Sequence, residues 1–504
     1  MDSNSLYYNA MDSTVTFQVM ERFWRELYTK GHERTYNSTI DLYGPLAYIM
    51  TRGIRVDIEN LRAEAKRVGL EIIEKQKELD SIVGRPLNFN SPKQVQAYFY
   101  IEKGITPYTN DEGRPTSDDK AMARIARGTS SRQPYREAKL IQELRGLSKM
   151  KGTYLEIEFD EDGRFRTSIN PRGTKFGRIS TSQTIFGTGM NMQNLPPAFK
   201  KFLVPDPGYL MFEMDKRQAE WVVVAYQHGD ANMMQVIENG EDPHVHTAHL
   251  MFKIDKDIIK REAKVVGHTT DPIEINRLRQ EGIPEIFNAP FVPRIFSMRQ
   301  AGKKSNHALN YDETYKRFAM ENEMSEKESK YIVEAYHRAY PGIRAGFELV
   351  KASLRHDRTL TNCFGRKQLF LDEWGPDLFK AAYAFIPQST VADLINGALN
   401  NIYYSGDSSL EPVEFLAQVH DSILYQIPLH LGPDKILYAI ERCEDFMNPQ
   451  MEYNGRQFKI GTDIKLGVSN WEALEEVNLA DKKALREKIS ELCSANQRLD
   501  NNVP

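Results

Sequence analysis

Cysteine is scarce: Cys363, Cys443 and Cys493 are the three in 504 residues, and they are too far apart in the chain to form a metal-ligand spacing. That sets aside a disulfide-built scaffold and a Cys-rich zinc module, and it suits a reducing, cytoplasmic setting. Long apolar runs are missing too. Charges interrupt every stretch before it reaches the roughly 18 residues of a membrane span, so no membrane partner is expected. The N-terminus, MDSNSLYYNAMDS, lacks a basic segment followed by an apolar one, and so reads as neither a secretory nor a transit signal. Internal repeats and low-complexity tracts are not evident, which argues against solenoids and long disordered linkers.

Positive charge is not in excess either. The formal net charge is −4, which argues mildly against a nucleic-acid partner until its distribution is read. From Gly163 to Val204 there are seven Lys or Arg residues (Arg164, Arg166, Arg172, Lys175, Arg178, Lys200, Lys201) and no Asp or Glu. Such a strip could track phosphates or could be an ordinary solvated loop, and composition leaves both readings open. What the chain does have is length for two to four domains, and 40% hydrophobic residues to fill their cores.

Periodicity places the elements coarsely. Val15, Val19 and Phe23 suggest a helix after Met11, Tyr36–Met50 a second amphipathic stretch, and Asp57–Val83 a long charged helix. Asn90-Ser91-Pro92 reads as a helix start, and a further helix is expected from the loop at Thr106–Ser117 to about Thr153. Loops and short strands follow in the basic strip. Tyr209–Asp215 (YLMFEMD) has strand length, Glu220–Ala225 opens a helical region, and Phe415–Ile427 reads as two strands meeting at a tight turn around His420 and Asp421. Leu474–Leu499 looks like a terminal amphipathic helix with Leu485, Ile489 and Leu492 on one face.

Two acids then stand out, because Asp215 and Asp421 each end an apolar run. A carboxylate there is costly unless it is paired, hydrogen-bonded or bound to a cation. Singly, each reads as a turn or capping residue. Together they suggest a site for Mg²⁺, whose hard oxygen ligands include carboxylates and substrate phosphates; two such ions roughly 3.5–4 Å apart could share both acids. In MRQAGKKSNHALNY, residues Arg299, Lys303, His307 and Tyr311 recur every four positions and share one helical face. That face is either an exposed basic stripe or a triphosphate clamp.

These segments carry a family resemblance. From about Tyr36 to Trp471 the chain resembles the family A DNA polymerases, the family of bacterial DNA polymerase I. DKRQAE at Asp215–Glu220 is similar to the first palm motif, the Arg299–Tyr311 run to the fingers helix, and QVHD at Gln418–Asp421 to the second palm motif. GRIST at Gly177–Thr181 and NMQNLPP at Asn191–Pro197 resemble the segment lying against primer-template DNA, and LSKMKGTY at Leu147–Tyr154 the base of the thumb. DPH at Asp242–His244, NCFGRK at Asn362–Lys367 and PQSTVAD at Pro387–Asp393 fall in the family's order.

The resemblance implies an α+β right hand, with an antiparallel palm sheet and helical fingers and thumb. It divides the chain into an exonuclease remnant (1–35), thumb and supporting helices (36–162), palm with the DNA-contacting segment (163–230), fingers (231–345), second part of the palm (346–473) and a C-terminal helical extension (474–504). It implies a template-directed DNA polymerase working in replication on primer-template DNA and dNTPs. Asp215, Asp421 and the main-chain carbonyl of Lys216 would hold two Mg²⁺, with Mn²⁺ as a substitute. Arg299, Lys303, His244, His307, Tyr311, Gln218 and Glu220 would form the nucleotide site, Glu220 blocking a ribose 2′-OH. Arg178, Gln193, Asn194, Gln388, His420, Lys149, Lys151 and Arg366 would contact DNA.

Several positions depart from the pattern. His307 replaces an aromatic Phe or Tyr, Ala308 and Asp312 replace glycines, and Ser422 replaces the acid that commonly follows the second aspartate. Part of Phe252–Ile295 exceeds the family's usual fingers. The tail after Ala473 runs past the usual end and offers a helix for a partner. YNAMD, with Tyr8 and Asp12, resembles the last motif of the 3′–5′ exonuclease, whose other motifs should lie upstream; no intrinsic proofreading is expected, and an exonuclease in trans is one implied partner. Together with the unusual fingers residues, this hints at a phage source and a bacterial or phage-infected cytoplasm. Two rivals remain: a single-subunit RNA polymerase, against which Glu220 speaks, and a catalytically inactive DNA-binding subunit, against which the intact aspartates speak.

Overall fold

The computed structural model describes residues 3–110, 112–128, 132–289 and 292–500. At its centre is an antiparallel sheet of β1 (Tyr209–Lys216), β2 (Glu414–Val419), β3 (Ser422–Pro428), β4 (Thr462–Gly467) and β5 (Glu475–Val477), in the spatial order β5-β4-β1-β3-β2. The helices used below are α1 (Ser3–Thr29), α2 (Ile58–Val83), α3 (Arg136–Lys149), α4 (Ala219–His228), α5 (Pro243–Phe252), α6 (Lys256–Val266), α7 (Pro272–Gly282), α8 (Met298–Leu309), α9 (Pro376–Tyr403) and α10 (Lys482–Asp500).

Side-chain alternation gives the sheet two faces. Leu210, Phe212 and Met214 of β1 pack with Ile423, Tyr425, Ile464 and Leu466 against α9, α10 and the helix Pro433–Met447. Met211 turns the other way, with Ala417 and Leu424, towards Phe199, Leu203 and Trp471. Between β1 and β2 the chain builds a helical block around its own core, where Val223, Ala248, Met251 and Leu309 meet Phe347 and Tyr383. On the other side an arm made of α2 and α3 is joined to the sheet's core through Leu61 and Val68 and has its own cluster around Leu79, Leu140 and Leu144. At the arm's tip, Arg127 grips both carboxylate oxygens of Glu323 in the helical block, at 2.7 and 2.6 Å.

Four expectations change in detail. The first helix starts at Ser3 instead of after Met11. The Tyr36–Met50 stretch is two helices, Glu33–Asp41 and Tyr43–Arg52, because Pro45 has no N–H to give the carbonyl of Asp41. The helix expected up to Thr153 is also divided, into Asp119–Arg127 and α3, between left-handed Gly128 and Pro134. The tail is not helical from Leu474: Glu475–Val477 pairs with β4, Val477 opposite Ile464, because the open edge of β4 carries backbone groups that a strand can satisfy and a helix cannot.

Helix α10 does not wait for a partner along its apolar stripe. Leu485, Ile489 and Cys493 are buried in the core behind the sheet. Ile489→Ala is therefore expected to destabilise the sheet core by about 2–4 kcal/mol, lowering the thermal midpoint of the full chain. An unchanged midpoint would mean that this face is not part of the protein's own core.

Candidate active site

β1 ends and β3 begins at one level of the sheet. Asp215 stands opposite Ser422 on β3 and opposite Asp463 on β4, and the Lys216 amide donates to the Asp421 carbonyl at 3.1 Å. The turn between β2 and β3 puts His420 at φ +53°, an unusual conformation for a residue with a side chain. Gln193 clamps that turn: its Nε2 donates to the Gln418 carbonyl and its Oε1 accepts from the His420 amide, both at 2.8 Å. Gln418 adds a bond from its own Nε2 to the His420 carbonyl at 2.6 Å. The sequence thus fixes where Asp421 points by tying a left-handed residue down from two sides.

Burial pushes the Asp215 carboxyl up to about 7, and the charges of Asp421 and Glu213 add to the shift. Asp421 is also pushed up, again chiefly by burial. Among the described residues neither acid forms an ion pair, and no three His, Cys, Asp or Glu side chains are gathered into a ready-made metal cage. The donor set therefore suits a hard divalent ion that takes its remaining oxygens from a main-chain carbonyl, water and substrate phosphate. Lys216 sends its side chain through the sheet to the opposite face, where Nζ donates to the Ile460 carbonyl at 3.0 Å and to Thr462 Oγ1 at 2.9 Å, and also reaches Asn448. Burial pulls that amine down to about 7.

Facing the acids across a cavity of about 450 Å³ is helix α8, with Arg299, Lys303 and His307 lining the same space as Asp215, Asp421 and Glu220. The helix is held against α5 by its uncharged side. Asn306 donates from Nδ2 to the His244 ring nitrogen Nδ1 at 3.0 Å and accepts from Thr247 at 2.9 Å. Gly302 permits the approach, since a Cβ there would lie 2.1 Å from the His244 carbonyl oxygen. Asp242 caps α5 through the amides of His244 and Val245 and also holds Arg299 Nε at 2.8 Å. Burial pulls His244 down to about 4, so its ring is neutral near pH 7 and offers a hydrogen bond without charge.

Glu220 is held by two partners, the guanidinium of Arg178 and the hydroxyl of Tyr311. Burial and the charge of Glu220 push that phenol far up, so it stays a donor, with Gln388 of α9 beside it. Gln218 lines the cavity from the left-handed position (φ +53°) that precedes α4. Other expected residues lie elsewhere. Arg366 is engaged by Asp393 at 2.7 Å and lies against Gly177, while Lys151 pairs with Glu156. Lys149, at the end of α3, and Asn194 are exposed, as are Tyr8 and Asp12 on α1.

Sequence reasoning missed Asp463, which continues the row of Asp215 across the sheet and pairs with Arg217 Nε at 2.9 Å. The alternation of Thr462–Gly467 could have shown it as an acid in a strand. It also missed that Arg178 and Gln193 are engaged inside the protein, a result of contacts distant in sequence.

Asp215 at the end of β1 and Asp421 in the turn between β2 and β3 face a cationic helix across one cavity, as a right-hand polymerase fold requires. Comparison with known proteins agrees. The sequence matches the family description "DNA polymerase family A" over residues 58–268 and 284–473, and the chain belongs to that family. The thermostable DNA polymerase I of Thermus filiformis is 26% identical over 439 residues, covering 81% of this chain and 46% of that protein. DNA polymerase I of Chloroflexus aurantiacus is 23% identical over 485 residues, covering 93% of this chain and 46% of that one. The chain spans about half the length of these curated relatives. Among solved structures, the POL domain of Pol1 from M. smegmatis, described as a complex with DNA primer-template and dNTP, is similar in fold. Its TM-score is 0.68 at 21% identity, covering 86% of this chain and 70% of that one. No helix among the described residues is long and apolar enough to cross a membrane.

The raised carboxyl of Asp215 has a measurable consequence. A carboxyl that binds its proton more tightly when folded loses stability for the fold as pH rises from about 4, its ordinary value, to about 7. At pH 8 Mg²⁺ should therefore stabilise the fold, by about 2.7 kcal/mol at a hundredfold excess over its dissociation constant, and so raise the thermal midpoint. Asp215→Asn should raise the metal-free midpoint and remove the Mg²⁺ response. A variant that keeps the full response would place the ion elsewhere.

Proposed function

We propose that this chain is a template-directed DNA polymerase that extends a primer on a DNA template by two-metal nucleotidyl transfer, in DNA replication. The observation carrying this reading is the single cavity lined on one side by Asp215 and Asp421 and on the other by Arg299, Lys303 and His307. The reaction joins the primer 3′ oxygen to the α-phosphorus of a dNTP, breaks the bond to the β-phosphate and releases pyrophosphate and the hydroxyl proton. Two Mg²⁺, with Mn²⁺ as a substitute, held by Asp215, Asp421 and the Lys216 main-chain carbonyl, would supply an activated hydroxyl and charge relief at the leaving oxygen.

The protein's own residues bind and orient. Arg299 and Lys303 grip the phosphates, and Arg299 is already aimed by Asp242 at 2.8 Å. His244 contacts the triphosphate, Gln218 lines the same nucleotide site, and His307 lies near the base or sugar. Glu220, fixed between Arg178 and Tyr311, occupies the space of a 2′-OH and so favours deoxynucleotides. Tyr311 stands beside the templating base. His420, Gln388, Asn194 and Lys149 face the DNA, while Gln193, Arg178 and Arg366 act on it through residues they hold or after exchanging their partners. Closure of the helical block on a matched nucleotide would complete the site.

Primer extension on a defined template tests the reading. Asp421→Ala should cut the rate by roughly 10²–10³-fold or more while primer-template affinity stays close to that of the parent. Extension that survives would remove Asp421 from the chemistry, whereas a parent chain that binds primer-template and never extends it would favour a DNA-binding subunit. Glu220→Ala should raise the use of rNTPs by roughly tenfold or more. A parent chain that prefers rNTPs would favour the RNA polymerase reading.

We also propose that these 504 residues do not trim a mismatched primer, because Tyr8 and Asp12 are exposed on α1 and, among the described residues, no three acids or histidines gather into a metal cage there. Purified protein given a primer with a mismatched 3′ end should leave it uncut; efficient trimming overturns this part alone.

A further inference from the structure

The family match breaks between residues 268 and 284, and helix α7 falls inside that break. An added helix on a surface usually needs no explanation. This one sends a charged side chain into the interior. Arg279 is 5% exposed, and its partner Glu262 on α6 is 0% exposed. Arg279 donates from Nε and Nη2 to one oxygen of Glu262 at 3.0 and 2.6 Å. Two more of its N–H groups, on Nη1 and Nη2, go to main-chain carbonyls, Pro293 at 2.5 Å and Phe296 at 3.0 Å. The second oxygen of Glu262 accepts from the Met298 amide at 2.9 Å.

Those last contacts all lie at one place, the entry to α8. Phe296 precedes the capping Ser297, whose hydroxyl accepts from the Gln300 amide at 3.2 Å. Met298 is the first residue of α8, and its N–H is one of the four that a helix leaves without an internal partner. Glu262 satisfies that N–H with a negative charge at the positive end of the helix, a favourable placement. The next residue is Arg299, in the triphosphate clamp. So the chain from Pro293 to Met298 is held on both its carbonyl and its amide side by one buried ion pair.

Buried ion pairs are poor stabilisers, because desolvation offsets most of the attraction and an apolar pair of similar size often serves as well. What the fork of an arginine adds is direction: several donors in one rigid plane, which a lysine cannot copy. Small displacements of groups that position a substrate are costly to the reaction. We propose that α7 is a brace for the cationic helix, and that Arg279, acting through Glu262, is a positioning residue that sets the angle from which Arg299 and Lys303 meet the triphosphate. The brace rests on the nucleotide-site reading given under Proposed function.

Three proteins compared with the parent test it: Arg279→Lys, the double replacement Glu262→Met with Arg279→Met, and Asp421→Ala as a chemistry control. Two quantities are read for each: the thermal midpoint, and dNTP affinity on a primer-template whose primer ends in a dideoxynucleotide, a measurement that needs no catalysis. Arg279→Lys should bind dNTP about tenfold more weakly, with KM for dNTP rising in step and kcat changing less, while affinity for primer-template stays within about twofold. The double replacement should recover thermal stability without recovering dNTP affinity; it also serves if Arg279→Lys does not fold. If either variant melts earlier yet binds dNTP as the parent does, α7 is only a structural plug and the proposal is overturned. A parent chain that binds dNTP but never extends the primer would sink the catalytic reading and leave the brace standing. One that binds no dNTP would remove both.

Discussion

Asp215 and Asp421 are brought to the same level of one sheet, where both are half-buried; desolvation raises both carboxyls, and the charge of Asp421 raises that of Asp215 further. The backbone imposes this. Seven register pairs between β1 and β3, and the amide of Lys216 on the carbonyl of Asp421, leave the two acids no way to move apart without breaking the sheet. Such a pair is a liability in an isolated protein and an asset beside a cation, since positive charge between the carboxylates favours the ionised form that burial disfavours. The surroundings are arranged to leave that position open. Arg178 is turned to Glu220, Arg217 to Asp463 and Arg366 to Asp393, so that nearby guanidinium groups are committed elsewhere.

The opposite wall has the complementary problem, a row of cations that must stay together on one helix face. Its solution is anchoring through neutral contacts. Gly302 lets α8 lie almost against the backbone of α5, and Asn306, Thr247 and a neutral His244 tie the two helices without adding charge. Lys303, and Arg299 with its Nε held by Asp242, then line the cavity. Sheet and helix thus present opposite fields across a narrow gap, the arrangement that favours transfer of a highly charged group.

Much of this was legible in the chain, and the reasons differ by element. Strand-length apolar runs ending in Asp215 and Asp421 announced themselves because period-two burial leaves few places for an acid. The four-residue spacing of Arg299, Lys303 and His307 gave the helix face directly. Four-residue spacing said less about Tyr311, which lies beyond the end of α8 and is placed by its bond to Glu220. Partner choice was the hidden part. Nothing local tells that Gln193 will clamp a turn more than two hundred residues away, that Arg366 will be held by Asp393, or that Asp463 will stand beside Asp215. The tail misled for a similar reason: its charges suit a helix, but an unfilled sheet edge claimed Glu475–Val477 before the helix could begin.

The central claim is that one cation position is shared by both aspartates when a nucleotide is bound. Its most direct test is a crystal grown with Mn²⁺, a dideoxy-terminated primer-template and the matching dNTP, with anomalous scattering used to locate the metal. The account predicts a peak within about 2.0–2.3 Å of a carboxylate oxygen from each of Asp215 and Asp421, with triphosphate oxygens completing its shell. A peak bound by only one of the two, or none in the cleft while the nucleotide is in place, would contradict it.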